Sequence, residues 1–385
     1  MYQFAHPGHL IFGLGSVKKE LLKEVERFSL KNILVVTDKI LVKTGVTKTV
    51  TDILIENNIS FSIFDEVLPD NPSHIIEKAI KDMAGEKIDG IIAVGGGSTM
   101  DCAKAMDLML TLGLDNLDKH FTTRTGYWCT DKLLPLIAIP TTAGTGSEAS
   151  PAAGIKDVEK KRKESIYGPG MIPTIAIVDG ELHKGMPASV SMSTGLDALS
   201  HALEALYSKE RNNLTKTFGL QAIRLIVENL PKAVADGSNL EARQNMAEAS
   251  TLAIFAGMQG MTHIGHGIAH AIGGQWNIPH GVAVAHVLFP MVEYLADGVP
   301  DSTADLLNIF GVEAGENPGK ALADAMRKFA EGIGLPKLSE FEKTNLDELE
   351  IVVKNAQGFI APREAYLVKG LPSNEWIESA IRESI

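Results

Sequence analysis

Every β-forming run in this chain lies before about Pro187, and every patterned segment after it repeats with the period of an amphipathic helix. That break rules out a sheet continuing through the whole sequence and predicts two domains. Before it, NILVVTD (32–38), SFSIFDE (60–66), DGIIAVGGGS (89–98), LPLIAIP (134–140) and TIAIVDG (174–180) read as buried strands, separated by helices such as 73–84 and 99–112. Alternation of this kind is the mark of a parallel sheet with helices on both faces. After it, helices are expected at 193–208, 214–230, 240–255, 264–272, 281–295, 321–332, 346–355 and 375–384. HKGMPAS (183–189) has the composition of a boundary, with Pro187 suited to a helix entry. The expected fold is an α/β N-terminal domain with a parallel Rossmann-like sheet (1–186), followed by an all-α C-terminal domain (187–385). At 385 residues, each half is long enough to bury a core of its own.

Bulk charge narrows the function. A formal net charge of −12 argues against a nucleic-acid partner, which would require clustered Lys and Arg to displace counterions. No basic and apolar leader opens the chain, and no apolar run reaches the length of a membrane span. A cytoplasmic protein without a membrane partner is therefore expected. Cys102 and Cys129 are too few for a disulfide framework and do not form a Cys-x-x-Cys pair. KDVEKKRKES (156–165) reads as a solvated, hairpin-like excursion.

Histidine is the informative residue. Six of the eleven, His201, His263, His266, His270, His280 and His286, fall within one stretch of the helical half. In STGLDALSHALEALYS, Asp197 and His201 are four apart and share a helix face; His266 and His270 repeat that spacing in GHGIAHAIGGQWNIPHG. Gly273 and Gly274 are expected to break that helix, with His280 heading the next element. One carboxylate and several imidazoles on three elements suit a divalent ion of borderline softness, Fe(II), Zn(II), Co(II) or Ni(II), better than Mg or Ca. A single buried histidine is more often a hydrogen-bonded core residue than a ligand, but burying the whole set without a shared ion would cost several kcal/mol of desolvation. His263, His266 and His270 share a face, so spacing leaves open which of them bind; His263, nearer the helix start, reads as a supporting or packing residue, and His286 as core.

A dinucleotide site is suggested on the other half. AVGGGSTMDCAKAM places Gly95, Gly96 and Gly97 between a strand and a helix, where bare backbone and a helix N-terminus favour a pyrophosphate. The alternative is a plain tight turn with Ser98 capping and Asp101 in the first helical turn. IPTTAGTGSE (139–148) adds Thr141, Thr142 and Thr145 after a second strand. Asp38 ends the 32–38 strand as an acceptor for ribose hydroxyls, which favours NAD over NADP, although it precedes the glycines where the usual fingerprint has the acid following them. No phosphate-binding loop of the ATPase type is present: NPGKA (317–321) lacks the spacing.

These motifs, together with FGLGSVKKE (12–20), resemble the iron-containing, or group III, alcohol dehydrogenases along essentially the whole chain. The resemblance implies an NAD(P)-binding domain, a helical metal domain and a cleft between them for a primary alcohol, diol or aldehyde. It implies Asp197, His201, His266 and His280 as metal ligands, with Fe(II) first and Zn(II) second. His270 would be a catalytic non-ligand beside substrate and nicotinamide. NAD(H), ahead of NADP(H), would be held by Asp38, Asn71 in LPDNPS, Gly95, Gly96, Gly97, Ser98, Thr141, Thr142, Thr145 and Lys163. A homo-oligomer, dimer or larger, is expected. The segment FAGMQGMTHIG departs from the family by its shortness and by His263, which leaves substrate identity open; residues around Trp276 suggest a modest neutral substrate. The expected reaction is hydride transfer between a primary alcohol carbon and nicotinamide C4. A dehydroquinate synthase-like NAD- and metal-dependent lyase or cyclase shares the architecture but would need more Lys and Arg near the histidines, and a non-catalytic metal or nucleotide sensor would bind without turnover.

Overall fold

A computed structural model describes residues 4, 6–157 and 162–385. The chain divides into two compact units. One runs up to Thr142 and resumes over Gly146–Lys184; the other comprises Ala143–Thr145 and Gly185–Ile385, together with residue 4. The main crossing therefore falls two residues before the expected boundary, and the short passage of 143–145 into the helical unit is invisible to composition.

In the first unit the described strands are β1 (His9–Phe12), β2 (Asn32–Val36), β3 (Ser60–Phe64), β4 (Gly90–Gly95), β5 (Leu136–Pro140), β6 (Ala152–Asp157), β7 (Arg162–Tyr167) and β8 (Ile175–Val178). Its helices are α1 (Ser16–Arg27), α2 (Lys39–Thr44), α3 (Lys48–Glu56), α4 (Ser73–Asp82), α5 (Gly97–Leu112) and α6 (Thr122–Thr125). Six strands form one all-parallel sheet in the order β1-β8-β5-β4-β2-β3. Ile33, Val35, Ile92, Val94, Ile137 and Ile139 bury one face against Val17 and Leu21 of α1 and Val50 and Leu54 of α3. Leu34, Val36, Ile91, Ala93 and Ala138 bury the other against Ile76 of α4 and Met100, Ala103 and Met106 of α5. Covering both faces is why these strands read as unbroken apolar runs. β6 and β7 pair antiparallel as the expected hairpin; its tip, residues 158–161, lies outside the described residues. β1 escapes sequence reading because it is four residues long and pairs only with β8.

The second unit is helical: α7 (Ala188–Leu206), α8 (Asn213–Ala235), α9 (Leu240–Gly260), α10 (Ile264–Trp276), α11 (His280–Leu295), α12 (Pro300–Phe310), α13 (Pro318–Gly332), α14 (Leu349–Ile360) and α15 (Asn374–Arg382). Pro187 caps α7, as its position predicts. The expected break at Gly273 and Gly274 does not occur, since α10 continues to Trp276. Two helical glycines cost about 2 kcal/mol together, whereas fully burying Ile268, Ile272 and Trp276 contributes roughly 1.5–3 kcal/mol apiece. The helix ends instead at Asn277, whose φ of 53° turns the chain and whose N–H donates to the Gly273 carbonyl. Among the described residues no helix is long and apolar enough to cross a membrane.

Candidate functional site

α7 carries Asp197 and His201 on one buried face. α11 starts at His280, and Gly281 lets it approach α7 closely: a Cβ there would stand 1.9 Å from the Ser193 carbonyl oxygen. This contact brings His280 Nε2 to 3.5 Å from Asp197 Oδ1. α10 supplies His266, whose Nε2 lies 3.9 Å from the same oxygen and 3.2 Å from His201 Nε2. Asp197, His201 and His266 are all buried, and each offers a donor atom within 4.8 Å of the others. His280 completes the group from a less enclosed side, its side chain 37% exposed. Three nitrogens and one carboxylate oxygen at this spacing fit a divalent transition ion.

Burial and the neighbouring carboxylates act on the two buried imidazoles in opposite senses. Burial pushes the His201 imidazole down, toward the neutral form that offers a lone pair, against the pull of Asp197. Burial also opposes charge on His266, but Glu204 and Asp197 outweigh it and shift the group up. Glu204 is a residue that motif reading did not single out. It is fully buried on α7, and its Oε2 accepts from His266 Nδ1 while its Oε1 accepts the backbone N–H groups of His263 (3.0 Å), Gly265 (2.6 Å) and His266 (3.3 Å). Burial alone would raise its pKa; attraction and hydrogen bonding from His266 and His263 hold it well below the usual carboxylate range. The signal was available: Asp197, His201 and Glu204 fall at i, i+4 and i+7 of one helix face.

His263 caps α10. Its Nδ1 accepts from Ile264 N at 2.8 Å, so its Nε2 carries the proton and donates to the Glu204 carbonyl at 2.9 Å. Both ring nitrogens are thereby used, in keeping with the supporting role expected of it. His270 is half-buried, stacked on His280 with ring centroids 5.1 Å apart and packed 5.4 Å from Phe359. His286 is buried, with Nε2 bonded to the Pro336 carbonyl at 2.8 Å, as a core residue would be. Trp276 itself is fully buried in the helical core.

In the α/β unit the expected cofactor residues gather along the carboxyl ends of neighbouring strands. Val36 of β2 pairs with Ala93 of β4, and Gly95 of β4 with Pro140 of β5. Asp38, the glycines and Thr141 therefore follow three adjacent strands, with Thr141 N donating to the Gly95 carbonyl at 2.9 Å. From β2 the chain goes outward to β3 and returns to β4 on the other side, so the glycine turn sits where strand order reverses, the usual place for a nucleotide. This topology explains the inverted motif order: Asp38 and the glycines are far apart in sequence but end adjoining strands. A Cβ on Gly95 would lie 2.1 Å from Thr99 Oγ1, and one on Gly96 3.2 Å from Thr142 Oγ1. The α5 N-terminus has no side-chain cap and no acid in its first turn, so neither Ser98 nor Asp101 plays the capping part of the plain-turn alternative. Uncapped N–H groups there fit a pyrophosphate.

Asp38 is partly engaged otherwise, as Oδ1 caps α2 by accepting from Ile40 N (2.8 Å) and Leu41 N (3.0 Å). Asn71 is buried at φ 49°; its Nδ2 reaches the Gly154 carbonyl at 3.5 Å, and among the described residues its Oδ1 has no hydrogen-bond partner. Exposed Lys163 stands 3.5 Å from Asp70 and passes beside Gly154. Thr145 falls with the helical unit, apart from Thr141 and Thr142. Sequence reading missed Asp101 and Lys104 as organisers: Asp101 accepts from Ser147 Oγ (2.6 Å) and Gly154 N (2.9 Å), and buried Lys104 donates to Ser147 Oγ (3.0 Å) and the carbonyls of Ser150 (2.9 Å) and Ala152 (2.7 Å). Burial pushes the Lys104 ammonium down to about 8, opposed by Asp101 and Glu148.

The chain resembles known proteins in sequence and in fold. Residues 7–180 match the family model described as "Iron-containing alcohol dehydrogenase", and residues 191–365 that described as "Fe-containing alcohol dehydrogenase family, C-terminal". The chain is 33% identical to the NAD-dependent methanol dehydrogenase of Bacillus methanolicus, covering 92% of this chain and 93% of the relative. It is 36% identical to the 1,3-propanediol dehydrogenase of Klebsiella pneumoniae, covering 87% and 88%. A crystal structure of 1,3-propanediol oxidoreductase superposes with a TM-score of 0.92 at 30% identity over the full length of both chains.

Proposed function

The chain belongs to the iron-containing alcohol dehydrogenase family, and on that premise we propose that it interconverts a small primary alcohol or diol and its aldehyde at Asp197, His201, His266 and His280, with NAD(H) as hydride carrier. The observation that carries the reading is the meeting of three imidazole nitrogens around Asp197 Oδ1 from α7, α10 and α11. A divalent ion held there by Asp197, His201, His266 and His280 would supply Lewis acidity toward the alcohol or carbonyl oxygen, and NAD(H) would supply the hydride chemistry.

The protein's own groups do the rest. Asp197 and neutral His201 bring one negative charge and one lone pair to the site from a single helix face. His266 adds its Nε2, with Nδ1 engaged by Glu204. His270, beside His280 and Phe359, is the proton relay of this reading, because an imidazole both donates and accepts near neutral pH. On the α/β unit, the α5 N-terminus and Gly95 to Ser98 receive the pyrophosphate, Thr141 and Thr142 offer hydroxyls, and Asn71 Oδ1, Lys163 and Asp38 contact the remaining polar groups. The carboxylate of Asp38 disfavours a 2′-phosphate, hence NAD over NADP. The strongly negative net charge supports a protein without nucleic-acid partners, and the same reading takes it to be cytoplasmic and a homo-oligomer, dimer or larger.

The test is a panel of short aldehydes with NADH and protein loaded anaerobically with Fe(II) or Zn(II), following nicotinamide absorbance. Turnover of short, neutral aldehydes is expected; none, despite stoichiometric metal and NADH, overturns the proposal. His270→Ala should keep the metal and lower kcat roughly 10²- to 10⁴-fold; unchanged turnover would remove it from the mechanism.

A further inference from the structure

We infer that Glu204 is a positioning residue for the metal site: it sets the tautomer of His266, so that Nε2 presents a lone pair to the ion, and it holds the start of α10 that carries this ligand. The inference rests on the assignment of His266 as a ligand in the proposed function.

Glu204 stands in the last turn of α7 and reaches the first turn of α10 with both carboxylate oxygens. Oε1 collects the backbone N–H groups of His263, Gly265 and His266, three of the donors that a helix start leaves unmet. Oε2 faces His266 Nδ1. With three backbone N–H groups donating to Oε1, the carboxylate faces this turn as an acceptor, which assigns the proton of its ring contact to Nδ1, and the ring's other nitrogen is left to point at His201 Nε2, 3.2 Å away. The backbone of Glu204 adds a further tie, its carbonyl accepting from His263 Nε2. One residue thus grips the 263–266 turn through side chain and main chain together.

The turn needs such a grip. The link from α9 into α10 passes through Met261 at φ 66° and ψ 149°, a conformation favoured almost solely by glycine and strained for a methionine. α7 therefore offers two ligands, Asp197 and His201, and one turn further along the same face the group that aims a third.

Glu204→Gln separates this role from simple capping. The amide is nearly isosteric, and its oxygen can still take the three backbone N–H groups. Its NH₂ would then donate to His266 Nδ1, moving the ring proton to Nε2 and blocking ligation. If the amide turns over, the NH₂ confronts three backbone donors instead. Either orientation fails at one of the two tasks.

The experiment uses full-length protein with zinc as the probe. Zinc affinity is measured by competition with a chelator, and histidine tautomers by long-range ¹H–¹⁵N spectra of ¹⁵N-histidine-labelled, metal-free protein at about pH 9, with a His266→Gln variant to assign the signal. Expected are an Nδ1–H tautomer at His266 in the unmodified protein, an Nε2–H tautomer in Glu204→Gln, and zinc affinity weakened 10- to 100-fold. Unchanged affinity with an unchanged tautomer in Glu204→Gln would reduce Glu204 to a helix cap and overturn the inference. Should that variant not fold, the unmodified protein decides: Nε2–H at His266 overturns the inference and Nδ1–H supports it. If the unmodified protein takes up no zinc, the ligand assignment falls, while the tautomer measurement still judges Glu204.

Discussion

The two units hold their candidate ligands by opposite means. In the helical unit the chemistry resides in side chains, Asp197, His201, His266 and His280, each aimed by a rigid helix and, at His266, by a buried carboxylate. In the α/β unit it resides largely in what is missing: glycines where a Cβ would collide, and a helix start with no cap. The difference teaches where each site is vulnerable. A metal site fails when a side chain is removed, a phosphate cradle when one is added.

The largest effect should come from Asp197→Ala, which takes away the oxygen around which the imidazoles meet. It should lower kcat/KM by about 10⁴-fold, roughly 5–6 kcal/mol of transition-state stabilisation, while NADH binding measured by fluorescence stays intact. Loss of NADH binding as well would break the comparison, because the units would not be separable. The converse is Gly95→Val: bound metal by elemental analysis should stay stoichiometric while KM for NAD rises roughly 10- to 100-fold, about 1–3 kcal/mol of steric cost against Thr99. Metal loss there would contradict the division just as plainly.

Smaller effects sharpen the picture of the α/β unit. Asp38→Ala should raise kcat/KM with NADP relative to NAD several-fold, and removing the cap of α2 should cost about 1 kcal/mol, read as a lower Tm. A separate effect, on pH dependence, comes from Asp107, whose carboxyl burial pushes up to about 7 against bonds from Leu134 N–H and the Thr111 hydroxyl. Raised above the unfolded value of 3.8, it leaves the folded state holding a proton the unfolded chain has released, so stability falls as pH rises through that window and the contribution is gone above about 7. Asp107→Asn should therefore flatten the decline of Tm between about pH 4 and 7; an unaltered slope would place the titration elsewhere.

Much of this was legible in one dimension. The strands at 32–36, 90–95 and 136–140 announce themselves because burial on both faces leaves nothing polar in them, and the i, i+4 pair of Asp197 and His201 is visible because a helix repeats every 3.6 residues. The glycine pair at 273 and 274 misled, since local propensity predicts a break that core packing of α10 overrides. Glu204 was overlooked because its i+7 spacing puts it on the face of Asp197 and His201 but does not tell that it reaches another helix's first turn.

Periodicity and residue chemistry by themselves determined the division into a sheet-bearing half and a helical half, the gathering of Asp197 with several histidines on helical faces and a glycine-rich turn between a strand and a helix, because each depends on neighbours within a few positions. Tertiary structure alone decided which histidines face Asp197, that Asp38 and the glycines end adjacent strands despite their separation, and that Glu204 aims His266. Those facts depend on helix-to-helix and strand-to-strand approach, set by the packing of side chains far apart in the chain.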